Sequence, residues 1–387
     1  MQIDFHYYAA YCAAYLAGYT HEESLAIAYA NEFTDLCSVT LLKKLKAPRA
    51  AASTQLQPEL MNGEGGILGL QNVTRIWSSF HFLPRDLQAS CPRRPKRWLN
   101  KYRLLCGPNG RLVQETVELA KGRGLAAAGL AMHVLSDTWA HTYFAGTPSA
   151  AMNNTNGFFY ELQDGTGTET KLRFIHNPAA GDDLAASVYV NSLRQENENS
   201  VMNLGHGRAG HLPDYSFARY KYMPSWGDYA VIEKDNPSDY YRAFCQMVLA
   251  LEYLRGRRES FELNTYACAA VAPYEREIRA ILQKRQLHAS VDWKAFGERL
   301  SGAPIEDFDI EKYQREYLAA PPEQKDGTFL GGFFLAAMAQ KSMVTHRIFE
   351  SGNLLAGFSV DYKRRGFRGI RDFRQLAKFF EREAHHE

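Results

Sequence analysis

The stretch His133-Val-Leu-Ser-Asp-Thr-Trp-Ala-His141 constrains this chain more than any other, because it sets three metal-ligand side chains four residues apart on an otherwise apolar helix. The run Leu125-Ala-Ala-Ala-Gly-Leu-Ala-Met132 before it, with Trp139, Tyr143 and Phe144 within and after it, leaves little polar face. Such a helix belongs inside the protein, where unpaired imidazoles and a carboxylate are costly. At a rise of about 1.5 Å per residue, His133 and His141 stand roughly 12 Å apart along the axis, with Asp137 about 6 Å from each. The two histidines are too far apart to share one ion, and Asp137 is placed to bridge two. A lone core histidine more often bonds a backbone carbonyl; the His-Asp-His set favours a buried metal cluster.

Composition bounds the rest. A chain of 387 residues, 45% hydrophobic and 23% charged, can bury a sizeable core as one large domain or two smaller ones. A formal net charge of +2 makes no general case for a nucleic acid or an anionic membrane as partner, so local patches must carry that argument. The six cysteines form no CxxC pair and no zinc-finger spacing, which reads as reduced thiols. The opening Met-Gln-Ile-Asp-Phe-His lacks the basic and apolar regions of a secretory signal, and no apolar run reaches about 18 residues. The expectation is a cytoplasmic protein, or one exported without a cleaved N-terminal signal.

The helical period dominates the chain. Residues 5–17 read as a helix ending at Gly18, and Thr20-His-Glu-Glu23 as a capping box opening a second helix to about Thr34. Residues 43–66 read as a connection and 111–145 as helical. Between Gly146 and about Tyr215 the composition shifts to Gly, Asn, Asp and Thr, and Phe158–Gln163 with Lys171–Ile175 suggests a small hairpin inserted over the site. Further helices are expected near 239–255, 266–285, 307–318, 333–350 and 370–384. The fold class is therefore all-α: a multi-helix bundle with a small loop or hairpin insertion and extra C-terminal helices. Residues 1–225 would form the metal-binding catalytic core, and 226–387 a helical region packed on it as one compact unit. The run Pro92–Arg103 carries six basic residues beside Trp98 and Tyr102, a composition that suits phosphate groups or an anionic lipid surface and also suits a solvated loop.

Other candidate ligands cluster in four places. His6 lies on the first helix, Asp35 ends the second, and His81 sits between Phe80 and Phe82. The fourth place is Gly205-His-Gly-Arg-Ala-Gly-His-Leu-Pro-Asp214, where glycines let the backbone pass close to a metal or phosphate. His6 and His81 read equally well as core histidines, and Asp35 as a helix-end residue. The loop with His206, His211 and Asp214 is the sharpest of the four. His21, His176, His288, His346, His385 and His386 read as structural or surface residues.

The order of these motifs resembles the zinc-dependent phospholipase C and single-strand-specific nuclease superfamily, all-helical enzymes with a three-zinc cluster. The matching positions, over roughly residues 1–220, are His6 in Asp-Phe-His-Tyr-Tyr, Asp35 at a helix end, and His81 in Phe-His-Phe. They continue with His133, Asp137 and His141 on the central helix, and with His206 or His211 together with Asp214. The chain looks most like a bacterial branch that opens with this Asp-Phe-His-Tyr-Tyr pattern. Secreted members of the superfamily bind one zinc through the amino group and carbonyl of an N-terminal tryptophan. This chain has Met1 there, so Asp4 beside His6 is the candidate replacement for a third ion, and the resemblance implies two to three ions. The close spacing of Asp137 and His141 is nearer to the glycosylphosphatidylinositol-cleaving relatives, and the closing motif departs from the His-x-x-x-Glu of the secreted enzymes.

The resemblance implies Asp35, His81, His133 and Asp137 on one metal, and Asp137, His141, one of His206 and His211, and Asp214 on a second. Divalent ions in such a set acidify bound water and neutralise phosphoryl oxygens. Asp35 would be the base that orients the attacking water, with Asp137 central to the reaction. Trp139 and the tyrosines of the first helix are candidates for the substrate groove and equally for the core. The expected function is zinc-dependent phosphodiester hydrolysis, phospholipase C-like, on a phospholipid or other phosphodiester, with peripheral membrane contact. A single-strand nuclease is the first alternative, although nucleic acid is the less favoured partner, and a metal-stabilised interaction or effector module is the second.

Overall fold

The computed structural model describes residues 1–56, 67–163, 168–175, 181–191 and 204–357. The expected helix at 370–384, and His176, His385 and His386, lie outside the described residues, as does the turn at 164–167. A π-helical turn, Asp4–Ala9, runs straight into α1 (Ala10–Leu16), and Gly18 at φ 89° ends the segment. The capping box forms as the sequence predicts: Thr20 N–H donates to Glu23 Oε2 at 2.8 Å and Glu23 N–H to Thr20 Oγ1 at 3.2 Å. It opens α2 (His21–Leu36). Two short helices follow, α3 (Val39–Lys44), which runs into the stretch read as a connection, and α4 (Arg49–Ala52) within it. Then follow α5 (Ile67–Phe80), α6 (Lys96–Tyr102), α7 (Arg111–Ala120), α8 (Gly124–Ala140) and α9 (Ala150–Asn153).

The C-terminal half adds α10 (Asn236–Leu254), α11 (Glu275–Gln283), α12 (Ser290–Ser301), α13 (Gln314–Ala319) and α14 (Phe329–Glu350). The helix α12 was not expected. The apolar helix α8 is the axis of the fold: α2, α7, α10 and α14 all pack on it, and Ala126 to Ala140 are buried throughout. One hydrophobic core runs from Met1 to Ala356, so residues beyond 226 complete the core that the first 225 begin. All six cysteines are free thiols. Among the described residues no helix is long and apolar enough to cross a membrane.

The chain is mostly helical but not strictly all-α, which corrects the sequence expectation. The insertion holds a hairpin close to the expected one, β1 (Tyr160–Leu162) antiparallel to β2 (Glu169–Lys171), whereas most of the expected second strand forms β3 (Arg173–Ile175) and pairs in parallel with β4 (Val188–Val190). A second hairpin, β5 (Arg219–Tyr222) and β6 (Ile232–Asp235), joins β1 to make a four-stranded sheet in the order β2-β1-β5-β6. Its signal is a plain period of two: in Arg219-Tyr-Lys-Tyr222 both tyrosines are buried. The hairpin also finishes α8, since Lys234 Nζ donates to the Trp139 carbonyl at 3.2 Å and to Asp239 Oδ2 at 2.6 Å. A cation on the last carbonyls of a helix satisfies acceptors that the helix leaves open and opposes its dipole.

Candidate metal centre

Four parts of the fold deliver acidic and imidazole side chains to the buried polar end of α8. Asp137 is the hub. Its Oδ1 lies 2.9 Å from the Met1 α-ammonium and 3.2 Å from His6 Nε2, and its Oδ2 lies 3.2 Å from His133 Nε2 and 3.3 Å from His81 Nδ1. His133 comes from the preceding turn of α8, and His141 caps the helix C-terminus. His6 rides the π-helical turn, and its ring stacks on His133 at 4.1 Å; π-turns recur where a side chain must be aimed out of ordinary helical register. His81 follows the last residue of α5. Asp35, in the last turn of α2, reaches to 3.5 Å from His81 Nδ1 and 3.7 Å from His6 Nε2, and at 27% exposure opens to solvent. Among the described residues three groups have ligand atoms close enough to share an ion: His6, His133 and Asp137; Asp35, His81 and His133; His141, His206 and Asp214.

Backbone carbonyls orient the rings. His141 Nδ1 lies 2.6 Å from the His81 carbonyl, His81 Nε2 lies 2.9 Å from the Thr54 carbonyl, and His206 Nδ1 lies 2.7 Å from the Gly210 carbonyl. A carbonyl only accepts, so each of these nitrogens carries the proton. In the neutral form of each ring the other nitrogen keeps its lone pair toward the centre, which is how outer-shell contacts prepare metal-binding histidines. His81 Nδ1 and His133 Nε2 face one another at 3.2 Å. Among the described residues neither ring nitrogen of His6 has a hydrogen-bond partner, nor does His133 Nδ1. A buried nest of lone pairs and carboxylates with few protons to share is electrostatically incomplete and fits a cation.

The ionisation states express the same imbalance. Burial pushes His6 and His206 down to about 4, keeping both rings neutral. Burial would raise Asp137, but His141, the Met1 ammonium, His133 and His6 outweigh it and hold the carboxyl well below its usual range. Asp214 is held down in the same way, by His206 and the ammonium against burial. His81 is raised, because its contacts with Asp137 and Asp35 overcome burial. The Met1 ammonium, 3.3 Å from Asp214 as well, is lifted to about 11, the pull of Asp137, Asp214 and Asp35 exceeding the penalty of burial. It places one positive charge among these carboxylates where an ion would place two.

The glycine-rich loop places its two histidines differently. His206, 19% exposed, lies 3.6 Å from Asp214 Oδ2 and inside the third group. His211, 56% exposed, also approaches Asp214, at 3.4 Å, but stands outside all three groups. The loop is drawn in by Gly205, at φ 55°, where any Cβ would run into the Phe82 ring. Phe82 in turn stacks on His141 at 4.6 Å. Asp214 is steadied from α10, where Asn236 Nδ2 donates to the Leu212 and Tyr215 carbonyls and the Tyr240 hydroxyl to that of Pro213.

Two expectations about this region change. Asp4 turns away from the groups: its oxygens accept the backbone N–H of Phe5 and of Ala289, both within 2.9 Å, so it anchors the start of α12. His6 accordingly pairs with His133 and Asp137 and not with Asp4. Trp139 is a core residue, donating to Gln246 Oε1 at 2.9 Å, and Tyr7, Tyr8 and Tyr11 spend their hydroxyls on Glu306, Asp307 and His21. Two groups at the site were not singled out from the sequence. The Met1 amino group carries no side-chain signal. Glu32 had one, a carboxylate one turn before Asp35 on the buried side of α2; burial and then the charge of Asp35 push it up to about 8.

The chain belongs to a family of unknown function (DUF6765), whose profile matches residues 1–348. No curated protein and no solved structure matches it.

Proposed function

We propose that this protein is a metal-dependent phosphodiester hydrolase, phospholipase C-like, with two to three zinc ions held by the three groups around Asp137. The observation that carries the reading is the convergence of imidazole lone pairs and carboxylates on a buried centre whose rings are already oriented by backbone carbonyls. Imidazole and carboxylate donors without thiolate suit zinc and similar divalent ions. Such ions, when bound, acidify water and neutralise phosphoryl oxygens, which is what an uncharged nucleophile and a phosphodiester both need.

The chain's own residues supply the rest. Asp35 is the one carboxylate of the groups with a substantially open face, so it accepts a proton from an incoming water and sets its direction. Glu32, one turn before Asp35, is pushed up by burial and by the charge of Asp35, which favours its neutral form beside that carboxylate. The Met1 amine must lose its proton before it can act as a ligand, as the N-terminal amine does in the superfamily that the sequence resembles. The test is one metal-loaded preparation assayed on phosphatidylcholine, phosphatidylethanolamine, phosphatidylinositol and single-stranded DNA, with Asp137→Ala as blank. Release of a phosphorylated head group with diacylglycerol supports the reading, whereas phosphatidic acid moves the cleaved bond to the other side of the phosphate. DNA hydrolysis without lipid turnover assigns a nuclease, and metal-loaded protein silent on all four assigns an interaction module.

A further inference from the structure

The basic stretch Pro92–Arg103 takes no part in the metal centre. It forms α6 and the turn before it, with six basic side chains and no acidic one. Arg93, Lys96 and Arg97 are exposed. Lys101 is pushed below its ordinary value by partial burial and then by the charge of Arg97. Aromatic rings run through the same surface: Trp98 stacks on Tyr102 at 4.9 Å, Tyr102 meets Trp226 at 6.0 Å, and Trp226 meets Tyr143 at 5.8 Å. Trp226 Nε1 also donates to the Tyr143 carbonyl at 3.1 Å. The ridge thus joins α6 to the tip of the β5–β6 hairpin and ends two residues beyond His141.

The hairpin tip is an independent observation. Residues 228–231 are all exposed, and Tyr229 and Val231, at 43% and 51%, are among the most exposed large apolar side chains of the described residues. Asp228 and Tyr229 both have positive φ, 53° and 59°, and Tyr143 and Arg93 share the feature at 79° and 65°. Non-glycine residues hold such conformations only where their surroundings impose them, and they collect at functional surfaces. Here the ion pair of Arg94 with Asp228 ties the tip to the basic turn. The Tyr229 hydroxyl accepts from Asn154 Nδ2 at 3.4 Å, while Val231 and much of the Tyr229 ring stay open to solvent beside a block of positive charge.

We propose that this ridge docks on an anionic phospholipid surface, with Tyr229 and Val231 entering the interface and Lys96 and Arg97 facing the head groups. Half-buried Trp and Tyr beside Lys and Arg match the boundary between acyl chains and head groups, apolar on one side and charged on the other. Bases would need free ring faces, yet Trp98 and Tyr102 cover one another and Arg94 lies 4.9 Å over Trp98. The inference rests on the lipid phosphodiester reading for its purpose, since docking would hold the hydrolytic centre at its substrate.

The experiment is co-sedimentation of the full chain with vesicles of phosphatidylcholine, with and without phosphatidylserine. Binding should require phosphatidylserine, and Lys96→Gln with Arg97→Gln should weaken it on the order of thirtyfold. Tyr229→Ser with Val231→Ser should weaken it as well; all four side chains are exposed, and circular dichroism confirms that the variants fold. Equal binding to both vesicle types, or binding indifferent to all four substitutions, overturns the proposal. So does capture of a single-stranded oligonucleotide through Lys96 and Arg97 with no vesicle binding. Turnover of a soluble chromogenic phosphodiester by the metal-loaded protein is measured alongside: its absence sinks the hydrolase reading while leaving docking to stand or fall on the vesicles.

Discussion

Asp137 is the residue on which the centre turns, because four cationic or polar hydrogen donors and acceptors from separate parts of the chain meet its two oxygens. Asp137→Ala takes from the buried Met1 ammonium its nearest carboxylate and leaves Asp214 at 3.3 Å, and removing one member of a buried charge pair costs about 3–5 kcal/mol. Urea unfolding of metal-free protein should show that loss. Elemental analysis should show Asp137→Ala losing more zinc than any single His→Ala change. His21→Ala and His288→Ala are the controls; His21 bonds Tyr11 and His288 is exposed, so neither should alter metal content. Purified wild-type protein that is folded, metal-free and indifferent to added zinc would refute the cluster. The ligand types could be read because histidine and aspartate on an apolar helix are costly without a purpose. Asp4 misled because adjacency in sequence to His6 says nothing about which way a side chain leaves a π-helical turn.

At the scale of elements, the contact between α2 and α8 sets the distance from Asp35 to His133. It closes at Gly129, where a Cβ would run into the Ile27 carbonyl oxygen and the Ala30 methyl. Gly129→Ala should therefore destabilise by about 1–3 kcal/mol, the usual cost of overpacking, despite alanine's better helix propensity. It should also weaken metal binding by moving Asp35 away. Gly332→Ala on α14 meets nothing within 4 Å and serves as the comparison, expected to be neutral or mildly stabilising. Equal melting temperatures for the two variants would mean that α2 and α8 are not locked at that point. Helices with strong periodicity, α2 and α8 above all, were open to sequence reading. The hairpin of β5 and β6 was not singled out because its two short strands are separated by a long loop, and a period of two over four residues is easily lost among aromatic neighbours.

For the whole molecule, stability should depend on pH from both sides. His6 and His206 are neutral in the folded state down to about 4, whereas an unfolded histidine takes a proton near 6.5. The unfolded chain therefore binds more protons between those limits, and stability falls as pH drops from about 6.5 towards 4, by on the order of 3 kcal/mol per ring. The Met1 ammonium runs the other way: raised to about 11, it contributes below pH 8 and is lost as pH climbs through its folded value. Metal-free protein should be most stable between about pH 6.5 and 8, and a melting temperature flat from pH 4 to 11 would refute the burial of these groups. Zinc competes with protons for the same rings, so the loaded protein should release metal on the acid side of that window. By itself, the sequence determined the mostly helical class, the apolar axis α8 and the chain order of most candidate ligands, since periodicity and the cost of burying polar groups are local facts. Tertiary structure decided which ligands share a group, that His206 and not His211 joins one, that Asp4 leaves the site, and that the Met1 amine and Glu32 enter it. Those outcomes depend on side-chain direction and on contacts between residues up to 136 positions apart, as for Met1 and Asp137, which no local pattern encodes.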